Sequence, residues 1–549
     1  RLNGEYAEAL ENYGAAETAG GSIGDPDLLW QIQYGRARTQ EATGDAGAAV
    51  QSLEAAINII EGVRSRLQEQ RFRSGYVEDK FDVYLELIRL QLELGRTPDA
   101  FSTAERLRAR SFTEQLGGRA SVPLSAMDRR TEMELRERVR RLQEAIIAGD
   151  EEGESYPQRA LYHFSEELVR AESDYATFLD DHARMNGADP GPPAATSIQH
   201  HLAADEALIE YVVAPDSLIV FVLTSREIAV RSAPLREEDL AARIALLRDL
   251  IQRPGDDRWH KPAARLWSQL VGGIEQTGVL DRVNRLLIVP HGALTLLPFA
   301  VLPRAEDERS DLLIDRYTIV YLPAAAALLR EPLKTAAEAS LLAVVPSRGG
   351  LRWAPEEARI IDAMFRPNSR ALIGADATEG RFKQIASDYR MLHMATHGHF
   401  NEINPLLSGL ELEPDHDEDG MLHVHEVLDL RLNADLVTLS ACDTALGTGY
   451  FTGLPRGDGF IGLNRAFLTA GSVSVMATLW QVDDRAAVSL MGSFYRDLNT
   501  SDGEHNAADA LALAQRAYRR SPELGHPYYW ASYVVIGQIN PEVEAVSEP

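Results

Sequence analysis

Met391-Leu-His-Met-Ala-Thr-His397-Gly398 and Leu436-Val-Thr-Leu-Ser-Ala-Cys442-Asp-Thr444 decide how this chain is read. Each opens on a short apolar run of strand length and ends in a residue type that performs chemistry. The same arrangement recurs around them. Apolar runs at 207–213, 218–223, 285–289, 318–321, 341–345, 390–395, 434–440 and 473–478 read as strands. Amphipathic stretches at 237–251, 262–277, 355–364, 379–387, 460–470, 485–498 and 507–519 read as helices. The alternation predicts an α/β domain with a mostly parallel sheet covered on both faces. The pattern occurs twice, with a seam expected near 324–339. In such sheets chemistry sits on loops beyond the strand C-termini, where His397, Gly398 and Cys442 fall.

A thiol nucleophile needs an imidazole to accept its proton and hold a thiolate fraction at neutral pH. A glycine beside the base lets a backbone N–H approach a substrate carbonyl. Two neighbouring strand ends supply both. The pattern alone leaves a second reading open, in which Cys442 is a buried structural thiol and His397 a satisfied histidine.

Before residue 186 the chain changes character. Small residues follow a glycine at the same offset three times, Gly4 to Ala9, Gly44 to Ala49 and Gly95 to Ala100, within stretches of helical period. This resembles the second helix of tetratricopeptide repeats, where a glycine ends one helix and a small residue lets the next pack closely. The intervals of 40 and 51 residues exceed the ideal of about 34, so the repeats are degenerate. An irregular helical bundle is the competing reading. The start at Arg1 and the missing first helix of the first unit suggest that something precedes it. Stretches 127–147 and 158–181 read as a long antiparallel helical pair. Asn186-Gly-Ala-Asp-Pro-Gly-Pro-Pro193 reads as a linker.

Composition limits the function classes. The chain has 549 residues and a formal charge of −28, which disfavours general nucleic-acid binding and docking on anionic membranes. The single cysteine, Cys442, excludes an intrachain disulfide and a zinc site built on several thiolates. No apolar run approaches a membrane span. A cytoplasmic location is the expectation.

At the two opening motifs the sequence resembles the CHAT family, the caspase-like peptidase domains associated with tetratricopeptide repeats. Ala395-Thr-His-Gly398 resembles its histidine motif and Leu439-Ser-Ala-Cys-Asp-Thr444 its cysteine motif. Family-like blocks surround them: Ile288-Val-Pro-His-Gly292, Leu297-Pro-Phe299, Pro355-Glu-Glu-Ala358, Ala466-Phe-Leu-Thr-Ala-Gly471, Leu479-Trp-Gln-Val-Asp-Asp484 and His526-Pro-Tyr-Tyr-Trp-Ala531. Ala100–Arg110 resembles the helix that precedes the domain. The resemblance implies a caspase-like three-layer sandwich, an inactive half at 197–335 and an active half at 336–542. Ahead of it stand repeats at 1–118, the helical pair at 119–185 and the linker at 186–196. It implies a cysteine endopeptidase with His397 as general base and Cys442 as nucleophile. The N–H groups of Gly398 and Cys442 would form the oxyanion hole, and neither metal nor cofactor is needed. By analogy with separases, Asp484, with Asp483 beside it, is the candidate to receive a basic side chain in the S1 pocket. Asp484 capping a helix that starts at Arg485 is the alternative. A protein or peptide substrate is implied, and a regulatory protein partner is expected on the repeats. The alternative is a repeat scaffold with an inert caspase-like domain.

Three features compete with this reading. Gly457-Asp-Gly459-Phe-Ile-Gly462 matches a dinucleotide fingerprint but lacks a strand leading into it. His393, His397 and His399 lack an acidic partner at ligand spacing, so His393 is expected to be structural. His526 ranks below His397 as base because it precedes Pro527 and has no adjacent glycine.

Overall fold

The computed structural model describes residues 5–23, 25–64, 80–117, 193–304, 311–330, 340–347, 351–399, 408–416, 418–440, 462–499 and 506–538, with isolated helical residues between 130 and 174. Two compact units divide near residue 193.

The first unit is helical. Helices Pro26–Ala42 and Ala46–Arg64 form one hairpin, and Phe81–Glu93 and Thr97–Gly117 another. Each hairpin turns at a glycine in the left-handed region, Gly44 at φ 85° and Gly95 at φ 72°. A side chain is strained there, which is why the glycines mark the turns. Ala49, Ala56, Ala100 and Ala104 are fully buried, so small residues do set the close packing. Arg106 joins the two hairpins through Glu61 at 2.7 Å. In the expected helical pair the described residues are helical, and Arg138 reaches Asp174 at 3.1 Å. The linker lies mostly outside the described residues. The last two positions of the 186–196 span, Ala195 and Thr196, open the helix Ala195–His201 instead, so the linker ends before them.

The second unit is built on one eleven-stranded sheet. Its strands are β1 (Glu206–Val213), β2 (Ser217–Thr224), β3 (Ile228–Pro234), β4 (Arg285–Val289), β5 (Thr318–Tyr321), β6 (Leu341–Val345), β7 (Ser369–Ile373), β8 (Met391–Met394), β12 (Leu436–Leu439), β13 (Ser474–Thr478) and β14 (Tyr533–Gly537). The order is β3-β2-β1-β4-β5-β14-β13-β12-β8-β6-β7. Three short strands, β9 (Gly398–His399), β10 (Gly409–Glu411) and β11 (Met421–His423), form a separate small sheet. Consecutive residues of β5, β6, β8, β12 and β13 are all buried, so both faces of the sheet are covered. That is the three-layer α/β class read from the sequence.

The sheet does not run in one direction. β1, β4, β5 and β14 are mutually parallel, as are β13, β12, β8, β6 and β7, but β13 and β14 pair antiparallel. The strand C-termini of the two halves therefore lie on opposite edges. The halves also match in register. Thr318 N–H donates to Asn284 O and Leu322 N–H to Ile288 O; Leu436 N–H donates to Arg390 O and Ser440 N–H to Met394 O. Counting outward from these equivalent bonds, His291 takes the position of His397, and Ala324 that of Cys442. Met476 pairs with Val535 where the two blocks meet, which places a local two-fold relation between β13 and β14.

Among the described residues no helix is long and apolar enough to cross a membrane.

Candidate active site

β8 and β12 lie side by side and parallel, with Met394 paired to Leu439. The ladder runs one bond further, from Ser440 N–H to Met394 O at 2.9 Å. Both motifs thus leave the sheet from adjacent strands at the same edge. His397 follows β8 by three residues and is partly exposed. Cys442 follows Ser440 by two and lies outside the described residues, as does 443–461 with most of the glycine-rich run.

The small sheet holds the histidine limb. Glu411 N–H donates to His397 O at 2.9 Å, Gly398 pairs with Leu410, and the Thr396 hydroxyl donates to Glu411 O. That sheet is buttressed in turn by the helix Glu379–Ile385. Glu379 N–H donates to Glu413 O at 3.0 Å, and the buried Glu379 carboxylate accepts from Gly420 N–H at 2.9 Å. Gly420 sits at φ 89°, and a Cβ there would lie 2.7 Å from Pro414 N, so the turn beside β11 requires glycine.

Lys383 Nζ centres a carboxylate cluster, 2.7 Å from Glu379, 2.8 Å from Glu418 and 2.5 Å from Glu426. The cluster carries its own cation. Burial, and then the Glu426 charge, push the Glu379 carboxyl up to about 7 from the ordinary 4.5. Lys383 and hydrogen bonding hold Glu426 below the ordinary carboxylate range despite its burial. A raised carboxyl stabilises the fold below its unfolded value, and that stability is lost as pH rises through the folded value. Wild type should therefore lose on the order of 2–3 kcal/mol between pH 4.5 and pH 8 through this group. In Glu379→Gln the thermal midpoint should fall less steeply over that window, and an equal slope would refute the assignment. Glu426 works in the opposite sense, on acidification below the ordinary carboxylate range.

The aspartate pair separates cleanly. The helix starts at Asp484, not Arg485, and Asp483 is its cap, accepting from Ala486 N–H at 2.9 Å. Asp484, read above as the possible cap, instead accepts from Trp353 N–H at 2.8 Å. This draws the block 355–358 to the chain after β13. The blocks 479–484 and 526–531 also meet. Leu479 N–H donates to Ser532 O at 2.8 Å, and the Trp480 indole to Tyr528 O at 3.1 Å. Arg248, from the other half of the sheet, donates to Leu479 O at 2.8 Å and to Leu296 O at 2.8 Å. No sequence signal singled out Arg248.

The other candidate histidines occupy different places. His393 is fully buried within β8, as expected of a structural residue. His399 is exposed and 3.7 Å from Glu411. His526 accepts from Tyr528 N–H at 3.3 Å as a helix cap. His291, the counterpart of His397 at the opposite edge, accepts from Val213 N–H at 3.1 Å.

Fold and site together define an α/β sheet domain with a histidine motif and a cysteine motif leaving neighbouring parallel strands, preceded by tetratricopeptide-like repeats. The chain belongs to the CHAT domain family, whose model matches residues 260–538. Tetratricopeptide repeat protein 28 of Mus musculus is 24% identical over an alignment of 623 residues, covering 92% of this chain and 24% of that protein. The Homo sapiens protein of the same name is 26% identical over 339 residues, covering 50% of this chain and 13% of that protein. The chain spans a quarter or less of the length of these curated relatives. Among solved structures, a Saccharomyces cerevisiae separase–securin complex aligns at a TM-score of 0.42 and 10% identity, over 96% of this chain and 48% of that chain.

Proposed function

We propose that this chain is a cysteine endopeptidase acting through His397 and Cys442, and that a protein partner on its repeats regulates it. The observation that carries the reading is the register of β8 and β12, which brings the roots of both motifs to one edge of the sheet. The imidazole of His397 takes the thiol proton, and the thiolate attacks a peptide carbonyl. The N–H groups of Gly398 and Cys442 receive the oxyanion charge. The protonated imidazole returns its proton to the leaving amine, and water then hydrolyses the thioester with His397 again as base. Nothing in these steps calls for a metal or cofactor. Asp484 supplies the negative charge that receives a basic side chain of the substrate. Concave faces of repeat arrays suit a peptide or protein partner, which supports regulation through the repeats at 1–118.

The single cysteine makes the test direct. A thiol-reactive peptide electrophile should label wild type rapidly, with and without cell lysate, and His397→Ala at least about tenfold more slowly. Cys442→Ala should take no label. Slow labelling that is equal in wild type and His397→Ala, lysate included, would make Cys442 an ordinary thiol and the chain a binding scaffold.

A further inference from the structure

The strand that ends in His397 and the strand that leads to Cys442 are tied together beneath the site by a buried polar chain. His393 Nε2 lies 2.9 Å from Glu357 Oε1. His393 Nδ1 lies 3.1 Å from the Tyr495 hydroxyl, which donates to Thr438 Oγ1 at 2.8 Å. Glu357 comes from the helix Ala354–Phe365 and Tyr495 from the helix Asp484–Leu498. His393 and Thr438 are register partners on β8 and β12. All four side chains are at most 2% exposed.

The Tyr495 hydroxyl and the Glu357 carboxylate thus face the two ring nitrogens of His393, one from each covering helix. Such a unit is not an economical way to stabilise a core, because desolvating a carboxylate and an imidazole offsets most of their attraction.

The molecule contains its own control. By the register equivalence of the two halves, His393 corresponds to Leu287 and Thr438 to Val320, and these two are paired on β4 and β5 as His393 and Thr438 are on β8 and β12. Both are buried. The same strand pairing is therefore built from apolar side chains in the half that carries Ala324. The polar chain occurs in the half that carries Cys442.

We propose that Glu357, His393, Thr438 and Tyr495 are positioning residues for the thiol. The chain locks β8 to β12 and both to their covering helices, so that the two strand ends keep the separation that thiol-to-imidazole transfer demands. The proposal rests on the peptidase reading above and names the residues that support its site. It also accounts for Glu357 within the block 355–358, which that reading leaves without a role.

Two isosteric variants test it, Thr438→Val and Tyr495→Phe, with Thr438→Ser and His397→Ala alongside. The readouts are the thermal unfolding midpoint and the rate of iodoacetamide labelling at Cys442 across pH. Thr438→Val and Tyr495→Phe should unfold within a few degrees of wild type yet label about ten- to a hundredfold more slowly. Their rate profiles should shift toward the pH at which an ordinary cysteine ionises. Thr438→Ser, which keeps the hydroxyl, should restore the rate. Labelling as fast as a rapidly labelled wild type, or loss of the folding transition in either isosteric variant, overturns the proposal alone. Slow wild-type labelling that ignores His397→Ala overturns the peptidase reading and the proposal with it.

Discussion

Peptide cleavage by this chain should fall by at least about a thousandfold in Cys442→Ala and as far in His397→Ala, with the double variant no worse than either. A base and a nucleophile that act as one unit fail together, so their losses do not add. The measurement is mass spectrometry of an unbiased peptide library incubated with the intact chain, counting new termini. Survival of the same cleavage sites in Cys442→Ala would show that these residues do not carry the activity. The same library reads the pocket. Asp484→Asn keeps an oxygen for Trp353 N–H and removes only the charge, so products cut after Arg or Lys should fall about tenfold or more. Asp483→Asn should leave that preference unchanged, because its carboxylate serves the helix end. Equal effects of the two substitutions would remove Asp484 from the pocket.

Gly537→Ala should destabilise the second unit by about 3 kcal/mol or more, among the largest effects of any single methyl group in this chain. Gly537 ends β14, the strand that joins the two blocks. Its φ is 116°, and a Cβ would lie 2.6 Å from Val473 O and 3.1 Å from Ser474 Cα. The obstruction is backbone of the neighbouring strand, which cannot give way without breaking the ladder between β13 and β14. Gly492→Ala is the matched control. It sits inside the helix Asp484–Leu498, and its Cβ would meet only Ile360 Cγ2 at 4.0 Å. There the gain in helix propensity should leave stability unchanged or raised by up to about 1 kcal/mol. Differential scanning calorimetry should show the Gly537→Ala transition lowered by several degrees and the Gly492→Ala transition not lowered. Similar midpoints for both would refute the clash.

What could be read in advance depended on whether a residue's role is local. Runs such as Leu341–Val345 and Leu436–Leu439 are buried on both faces and stay apolar throughout, so they announce strands without any knowledge of their neighbours. Gly44 and Gly95 are legible because a left-handed turn demands glycine whatever surrounds it. The edge strands β3 and β7 are half exposed and their composition is mixed, so they pass for loop. β9 to β11 are two or three residues long, too short for a period to register. The reversal of the sheet at β14 depends on where the last strand of the unit inserts, which no window of sequence contains. His397 stands out because a histidine and a glycine follow a strand. Tyr495 does not, because its partners His393 and Thr438 are 102 and 57 residues away along the chain. Which of Asp483 and Asp484 caps the helix is not legible in sequence, since a helix boundary is a matter of a single hydrogen bond.

The antiparallel seam between β13 and β14 has the geometry that two identical chains would adopt on pairing edge to edge, yet both sides belong to one polypeptide. In a pair of identical subunits every substitution appears twice, and neither copy can drift from the other. Linking them in one chain removes that constraint. One copy carries the cysteine motif in its sequence and the polar side chains His393 and Thr438 on its paired strands. The other has Ala324, Leu287 and Val320 at those positions and a histidine whose ring accepts from a backbone amide. Its sheet is completed intramolecularly, so the seam forms at any dilution, and a frame that has room for two such edges carries the histidine and cysteine motifs at one.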